Sequence, residues 1–176
     1  LTPNLGLTTA FGRSNDWTVS EGEDKHRRSV YTEVRRNSPY ASFTTFDAGN
    51  REVCMIRRSR TNTPLQAFVT LNDPVFIETH QAMARRVMSE ASDVPSRLTR
   101  MFKLCLSREP TTAETAALTA LHAESHASYL VDKEAATKLA TDPLGPAPKD
   151  ANVPELAAWT TVANVVMNLD EFLMRR

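Results

Sequence analysis

Apolar residues recur at steps of three and four through most of the chain beyond residue 60, and no such period holds before it. Phe76, His80, Met83, Ala84 and Val87 fall on one helical face, predicting a helix that ends near Glu90. Leu98, Met101, Phe102, Cys105 and Leu106 form a second stripe on a helix starting near Pro95. Trp159, Val162, Ala163, Val166 and Leu169 mark the inward face of a last helix, opened by Pro154 and anchored by Phe172. In Thr63-Pro64-Leu65-Gln66 a hydroxyl can cap a backbone N–H, the proline suits the first helical position, and the glutamine can reach back. That helix is short, because Asn72-Asp73-Pro74 stops it and caps the next. Thr111-Thr112-Ala113-Glu114 is another capping box, opening a long alanine-rich helix to about Leu139. Residues 140–153, with Pro143, Gly145, Pro146 and Pro148, cannot stay helical.

The leading part reads differently. Residues 1–26 are an irregular arm with a solvated acidic turn, pinned by Trp17. Residues 28–34 alternate, placing Val30, Thr32 and Val34 on one face of a short strand that Pro39 stops. Residues 37–52 are loop-like, with Phe43 and Phe46 as anchors and Asp47-Ala48-Gly49-Asn50 as a turn. The expectation is a mainly α protein: about five helices in an irregular bundle, with an arginine-rich, loop-like or minor-β N-terminal portion. The arm precedes a single helical domain, 27–176. That domain comprises an arginine-rich segment (27–60), helices (61–139), a proline-rich loop (140–153) and a C-terminal helix (154–172).

Composition narrows the function classes. The chain has 176 residues, 41% of them hydrophobic, enough to build one real core. Its 21 basic and 21 acidic residues cancel, so no global field draws it to nucleic acid or to an anionic membrane. Five glycines and 7% aromatics argue against an all-β sandwich and a glycine-dependent nucleotide fold. No apolar run approaches a membrane span, and the opening Leu1-Thr2-Pro3 is expected to be a cut from a longer protein.

Arginine is unevenly spread. Residues 27–60 hold eight arginines (27, 28, 35, 36, 51, 57, 58, 60) against the acids Glu33, Asp47 and Glu52. Arg57, Arg58, Arg60 and Asn62 lead directly into a helix N-terminus, where free N–H groups and the dipole favour an anion such as a carboxylate, sulfate, phosphate or acidic sugar. The structural reading fills the same forks with protein carboxylates, for which Asp47, Glu52, Asp73, Glu78 and Asp170 are the candidates. It carries more weight, since arginine networks commonly fix loops. Tyr31, Tyr40, Phe43 and Phe46 interleave the cluster, but zero net charge, scarce lysine and no recognisable motif disfavour nucleic acid.

Catalytic signatures are missing. Ser29, Ser59 and Ser107 lack an elbow sequence, and Asp170 and Glu171 point apart on a helix. His122 and His126 stand four apart, a spacing that can bind metal, but HxExH is not HExxH and no third ligand is indicated, so no metal is expected. His80 reads as a satisfied core histidine. Cys54 and Cys105 belong to no CxxC, haem-attachment or zinc spacing, which disfavours metal and covalent haem; a disulfide between them stays open. No catalytic residue and no cofactor are expected.

An ordered series of motifs resembles a bacterial domain of unknown function typical of planctomycetes. The motifs are Arg27-Arg28-Ser29-Val30-Tyr31, Thr45-Phe46-Asp47-Ala48, Arg51-Glu52-Val53-Cys54, the run from Arg57 to Ala67, Leu71-Asn72-Asp73-Pro74, Leu106-Ser107-Arg108-Glu109-Pro110, and the closing run from Trp159 to Phe172. The resemblance spans residues 27–172, leaving out the arm and the 140–153 loop. It implies an extracytoplasmic domain, periplasmic or at the cell surface, closing a large exported protein. Upstream there is often a planctomycete-type cytochrome c module, a companion domain of unknown function, and sometimes carbohydrate-binding modules. It supplies no catalytic residue. Gly49 and Ser59 stand where the resemblance leads one to expect proline, softening turns while leaving the arginines in place. The functional expectation is a non-catalytic packing or interaction module docking onto upstream domains of its parent chain, linked to redox or polysaccharide processing. The alternative is an enzyme or ligand-binding domain with an arginine-lined site for an anionic or sugar substrate.

Overall fold

The computed structural model describes residues 20, 22–34, 40–49, 54, 56–57 and 61–173. Among the described residues the regular structure is helical throughout. The α-helices are α1 (Ala41–Thr45), α2 (Pro64–Asn72), α3 (Pro74–Glu90), α4 (Val94–Leu106), α5 (Thr112–Val131), α6 (Lys133–Thr141), α7 (Val153–Met167) and α8 (Asp170–Leu173). The chain divides into two compact units, Leu1–Gln66 and Ala67–Arg176, the division falling inside α2. No helix among the described residues is long and apolar enough to cross a membrane.

In the first unit the expected strand at 28–34 is absent. Ser29–Tyr31 is instead a 3-10 turn, as is Gly22–His26. The N–H groups of Tyr31 and Thr32 bond back to the carbonyls of Arg28 (2.9 Å) and Ser29 (3.0 Å). An alternating pattern becomes a strand only when a neighbour takes its ladder bonds. Here local bonds take them: Thr32 is buried while Val30 stays 67% exposed, so the two do not share a face. The loop expected at 37–52 contains α1, where Tyr40 meets Phe43 edge-on at 5.5 Å. The helix ends at Thr45, with Phe46 as its cap, and Asp47 just beyond has a left-handed φ of 57°.

The second unit is built around α7. Leu156, Ala157, Ala158, Trp159, Thr160, Val162, Ala163, Val166 and Met167 are all buried, so this helix is covered on most of its circumference. The period read from the sequence found four of these; Leu169, the fifth position of that stripe, is half-buried against the core. Helices α3, α5 and α6 pack on α7 most extensively, and α4 joins them through Leu98, Met101 and Phe102. The helix expected from Thr111 to Leu139 is two. Asp132 leaves helical geometry (φ −100°, ψ 84°) and its carboxylate accepts from the Ala135 N–H at 2.9 Å, opening α6. A short acid competing for backbone donors in this way favours a cap over a continuous helix.

The expected caps form. Asp73 accepts from the Val75 N–H at 2.9 Å; Asp93, which the residue pattern did not single out, caps α4 through the Ser96 N–H. Thr111 and Glu114 serve each other reciprocally at the start of α5.

The proline-rich loop after α6 is tied down from α3. Fully buried Gln81 donates to the carbonyls of Leu139 (2.6 Å) and Asp142 (2.7 Å) and accepts from the Leu144 N–H (3.0 Å). Arg85 donates to the carbonyls of Ala140 (3.1 Å) and Gly145 (2.6 Å). Loop carbonyls that no helix can satisfy are met by side chains instead.

Candidate functional site

The arginine-rich segment is described only in part. Arg57 is exposed in a bend, Asn62 is exposed just ahead of α2, and Arg58, Arg60 and Glu52 lie outside the described residues. Around it Asp47, Thr61 and Gln66 bond one another. Asp47 accepts from both the N–H (2.7 Å) and the hydroxyl (2.8 Å) of Thr61. Gln66, only 5% exposed, accepts from the Thr63 N–H at 3.2 Å. Its amide donates to the Thr45 carbonyl (2.9 Å) and the Thr61 hydroxyl (3.0 Å). The N-terminus of α2 is therefore capped by its own chain, with the Asp47 carboxylate close by. Asp73 caps α3, and Asp170 opens α8 in an exposed position.

In the first unit Arg27 of the arginine-rich segment pairs with Asp24 at 2.7 Å, and guanidinium pairing is more extensive in the second unit. Arg97 meets Glu155 at 2.5 Å and donates to the Ala91 carbonyl, with its guanidinium carbon 5.6 Å from the centre of the Trp159 ring. Arg108 bonds Glu114 (2.7 Å) and Glu171 (2.9 Å) while lying over Phe102. These bonds hold the Glu114 carboxyl down at about 2, with the Arg108 hydrogen bond the larger cause and the Thr111 N–H next. They raise Arg108 above its usual value in turn. Arg86 and Arg100 both hold Glu90, at about 2 for the same reason.

Beside Arg97 lies a cluster of imidazoles. The His122 ring packs 4.6 Å from Trp159, and His126 stacks on His122 at 6.1 Å with planes 15° apart. Among the described residues, His122 Nε2, His126 Nε2 and Trp159 Nε1 are buried atoms without a hydrogen-bond partner. Burial lowers the His122 pKa, His126 and Arg97 add to that, and Glu155 opposes it. The spacing of the two histidines leads one to expect a solvated or half-buried face; His126 is half-buried, whereas His122 is buried against Trp159. His80 is fully buried, its pKa pushed down to about 4 by burial, with Nδ1 3.2 Å from the Asn164 amide nitrogen. Cys54 and Cys105 are free thiols, and burial pushes Cys105 up to about 11, far from a reactive thiolate.

A cleft of about 450 Å³ opens elsewhere on the second unit, with Ile77, Tyr129, Leu139 and Pro143 among its apolar walls and Lys138 and Asp142 among its charged ones. Its titratable lining groups are Tyr129, Lys138 and Asp142. Sequence reasoning missed Gln81, Arg85, Arg97 and Glu155. A signal existed for the first two, since a loop with several prolines and a glycine leaves carbonyls that some donor must meet. None existed for the third and fourth, which are 58 positions apart.

A sequence model described as PSD1, protein of unknown function (DUF1553), matches residues 4–122. The match takes in the leading arm and runs through the arginine-rich segment to His122, stopping short of α6 and α7. No curated protein matches the chain, and no solved structure does either.

Proposed function

The chain belongs to the PSD1 (DUF1553) family, a family of unknown function, and from that premise we propose that it acts as a non-catalytic packing and interaction module. The observation that carries this reading is the contrast between inside and outside in the second unit. Arg85, Arg97 and Arg108 are spent on internal carbonyls and carboxylates, whereas Phe68 (63% exposed), Leu71 (37%) and Val75 (54%) present apolar surface within eight residues of chain. Apolar groups concentrated in this way suit contact with another protein surface. The partner is a neighbouring domain of a longer parent chain, in the exported setting linked to redox or polysaccharide processing that the motif resemblance implies. Amide hydrogen exchange on this chain alone and within the parent tests the reading. Amides of α2 and early α3 slow in the parent if they dock, and equal exchange in both overturns docking.

The second reading keeps Arg57, Arg58, Arg60 and Asn62 as a site for an anionic or sugar ligand, and the exposure of Arg57 and Asn62 favours it. Against it, Asp47 and Gln66 already occupy donors near the start of α2. Replacing Arg58 and Arg60 by alanine separates the two. Lost ligand binding at an unchanged melting temperature supports a site, and a lowered melting temperature supports a structural network.

A further inference from the structure

We propose that the cleft lined by α3, α5, α6 and the loop after α6 receives a peptide segment of the docking partner, with an aromatic side chain seated in it and one acidic and one basic residue beside that anchor. The proposal rests on the docking reading above and names what docks. The cleft measures about 450 Å³, within the roughly 300–1,000 Å³ of ordinary binding pockets. Its half-buried walls include Ile77, Tyr129 and Leu139, and its exposed rim carries Pro74, Pro143, Lys138 and Asp142. The Tyr129 hydroxyl is engaged with Thr161 on α7 at 3.2 Å, so its ring serves the cleft as apolar wall. Flat tyrosine and proline faces suit an aromatic ring.

The α6 side of the cleft is fixed before anything binds. One buried amide, that of Gln81, donates to the carbonyls of two lining residues, Leu139 and Asp142. A wall held in this way lowers the ordering cost of association. Exposed apolar residues adjoin the cleft in the chain. Phe68 stands one helical turn before the lining residue Asn72, Leu71 and Val75 are next to Asn72 and Pro74, and Leu130 and Val131 directly follow Tyr129. An open cleft that continues into apolar surface suits a length of chain lying across it better than an enclosed small molecule.

Charge selects the residues beside the anchor. Lys138 and Asp142 stand one turn apart at the rim, and among the described residues neither side chain makes a hydrogen bond or ion pair. Arg85, Arg97 and Arg108 in the same unit are all engaged. A peptide with one acid and one base meets both rim charges, whereas two like charges bring one repulsion.

The test titrates three capped tripeptides into the whole chain: acetyl-Glu-Phe-Lys-amide, acetyl-Glu-Ala-Lys-amide and acetyl-Lys-Phe-Lys-amide. Backbone ¹⁵N signals and the methyl signals of Ile77 and Leu139 are followed by NMR. The first peptide binds saturably and moves the Ile77, Leu139, Lys138 and Asp142 signals. Its alanine analogue binds roughly tenfold more weakly or worse, since the buried anchor is gone. The doubly basic peptide binds roughly threefold more weakly, as expected for exposed charges, and Lys138→Glu reverses that preference. Lys138 is exposed, so this variant folds. Absence of saturable binding, equal affinity for the alanine analogue, shifts confined to residues away from the cleft, or a charge preference that Lys138→Glu leaves in place overturns the proposal. These readings come from this chain alone, so they are judged apart from the exchange of α2 and early α3 amides in the parent: slowed exchange there with no peptide bound here keeps docking and removes the cleft.

Discussion

Arg97 on α4 and Glu155 on α7 close a 2.5 Å ion pair beneath which lies the indole of Trp159. The Arg97 side chain is 11% exposed and Glu155 28%, so neither charge has water enough to stand alone. Glu155→Gln leaves a nearly buried guanidinium uncompensated, with an expected loss of about 2–4 kcal/mol. The double variant Arg97→Met with Glu155→Gln recovers much of it, because no buried charge remains. Urea unfolding of the two variants checks this. A double variant no more stable than the single would overturn it.

Gln81 replaces a missing helix end. Its side chain meets a carbonyl in the last turn of α6 and a carbonyl and an N–H of the loop that follows, so Gln81→Leu keeps the volume and orphans three backbone groups. The expected cost is about 2–4 kcal/mol. Loosening of the loop exposes the bond after Lys149, and trypsin cuts there faster than in the parent. Mass spectrometry of timed digests reads the effect.

Stability falls with acid in two windows. Burial holds His80 at about 4 against 6.5 in the unfolded chain, so between those values the unfolded state binds more protons. Its contribution is complete above about pH 6.5 and lost as pH falls toward 4, and His122 is shifted the same way. Glu114 is held at about 2 against 4.5, so its contribution is complete above pH 4.5 and lost toward pH 2. Unfolding free energies measured from neutral to acid pH should show both declines. His80→Gln makes the first shallower and leaves the His122 share, and Glu114→Gln makes the second shallower and leaves the Glu90 share.

Among the described residues, two that are not glycine hold left-handed backbone. Ser107 ends α4 at φ 59°, and its exposed side chain makes no bond among the described residues, so Ser107→Gly stabilises by about 1 kcal/mol. Asp47, at φ 57°, differs because its carboxylate holds Thr61. Asp47→Gly relieves the backbone and still loses the acceptor, giving a loss of about 1 kcal/mol. Asp47→Ala suffers both and is the less stable. Thermal melts of the three variants order them.

Much of the second unit was legible from residue pattern. Caps and stripes are local: Asp73, Thr111 and Glu114 act on N–H groups two or three positions away, and an apolar face repeats every turn. The interruption at Asp132 was not legible, since an aspartate sits as readily on a helix surface as at its cap. The strand expected at 28–34 failed for a related reason. Alternation states a preference, and a strand needs a partner that the sequence does not supply.

The sequence by itself determined that the chain is helical, where most of its long helices start, and that arginine rather than lysine would carry its electrostatic bonding. Only the tertiary structure decided that α7 is buried on most faces, because periodicity reports one apolar face and cannot count how many helices surround it. It also decided which arginines act as internal ties. A guanidinium meets whatever carboxylate or carbonyl the fold delivers, and Arg97 and Glu155, far apart in the chain, become neighbours only when α4 and α7 pack.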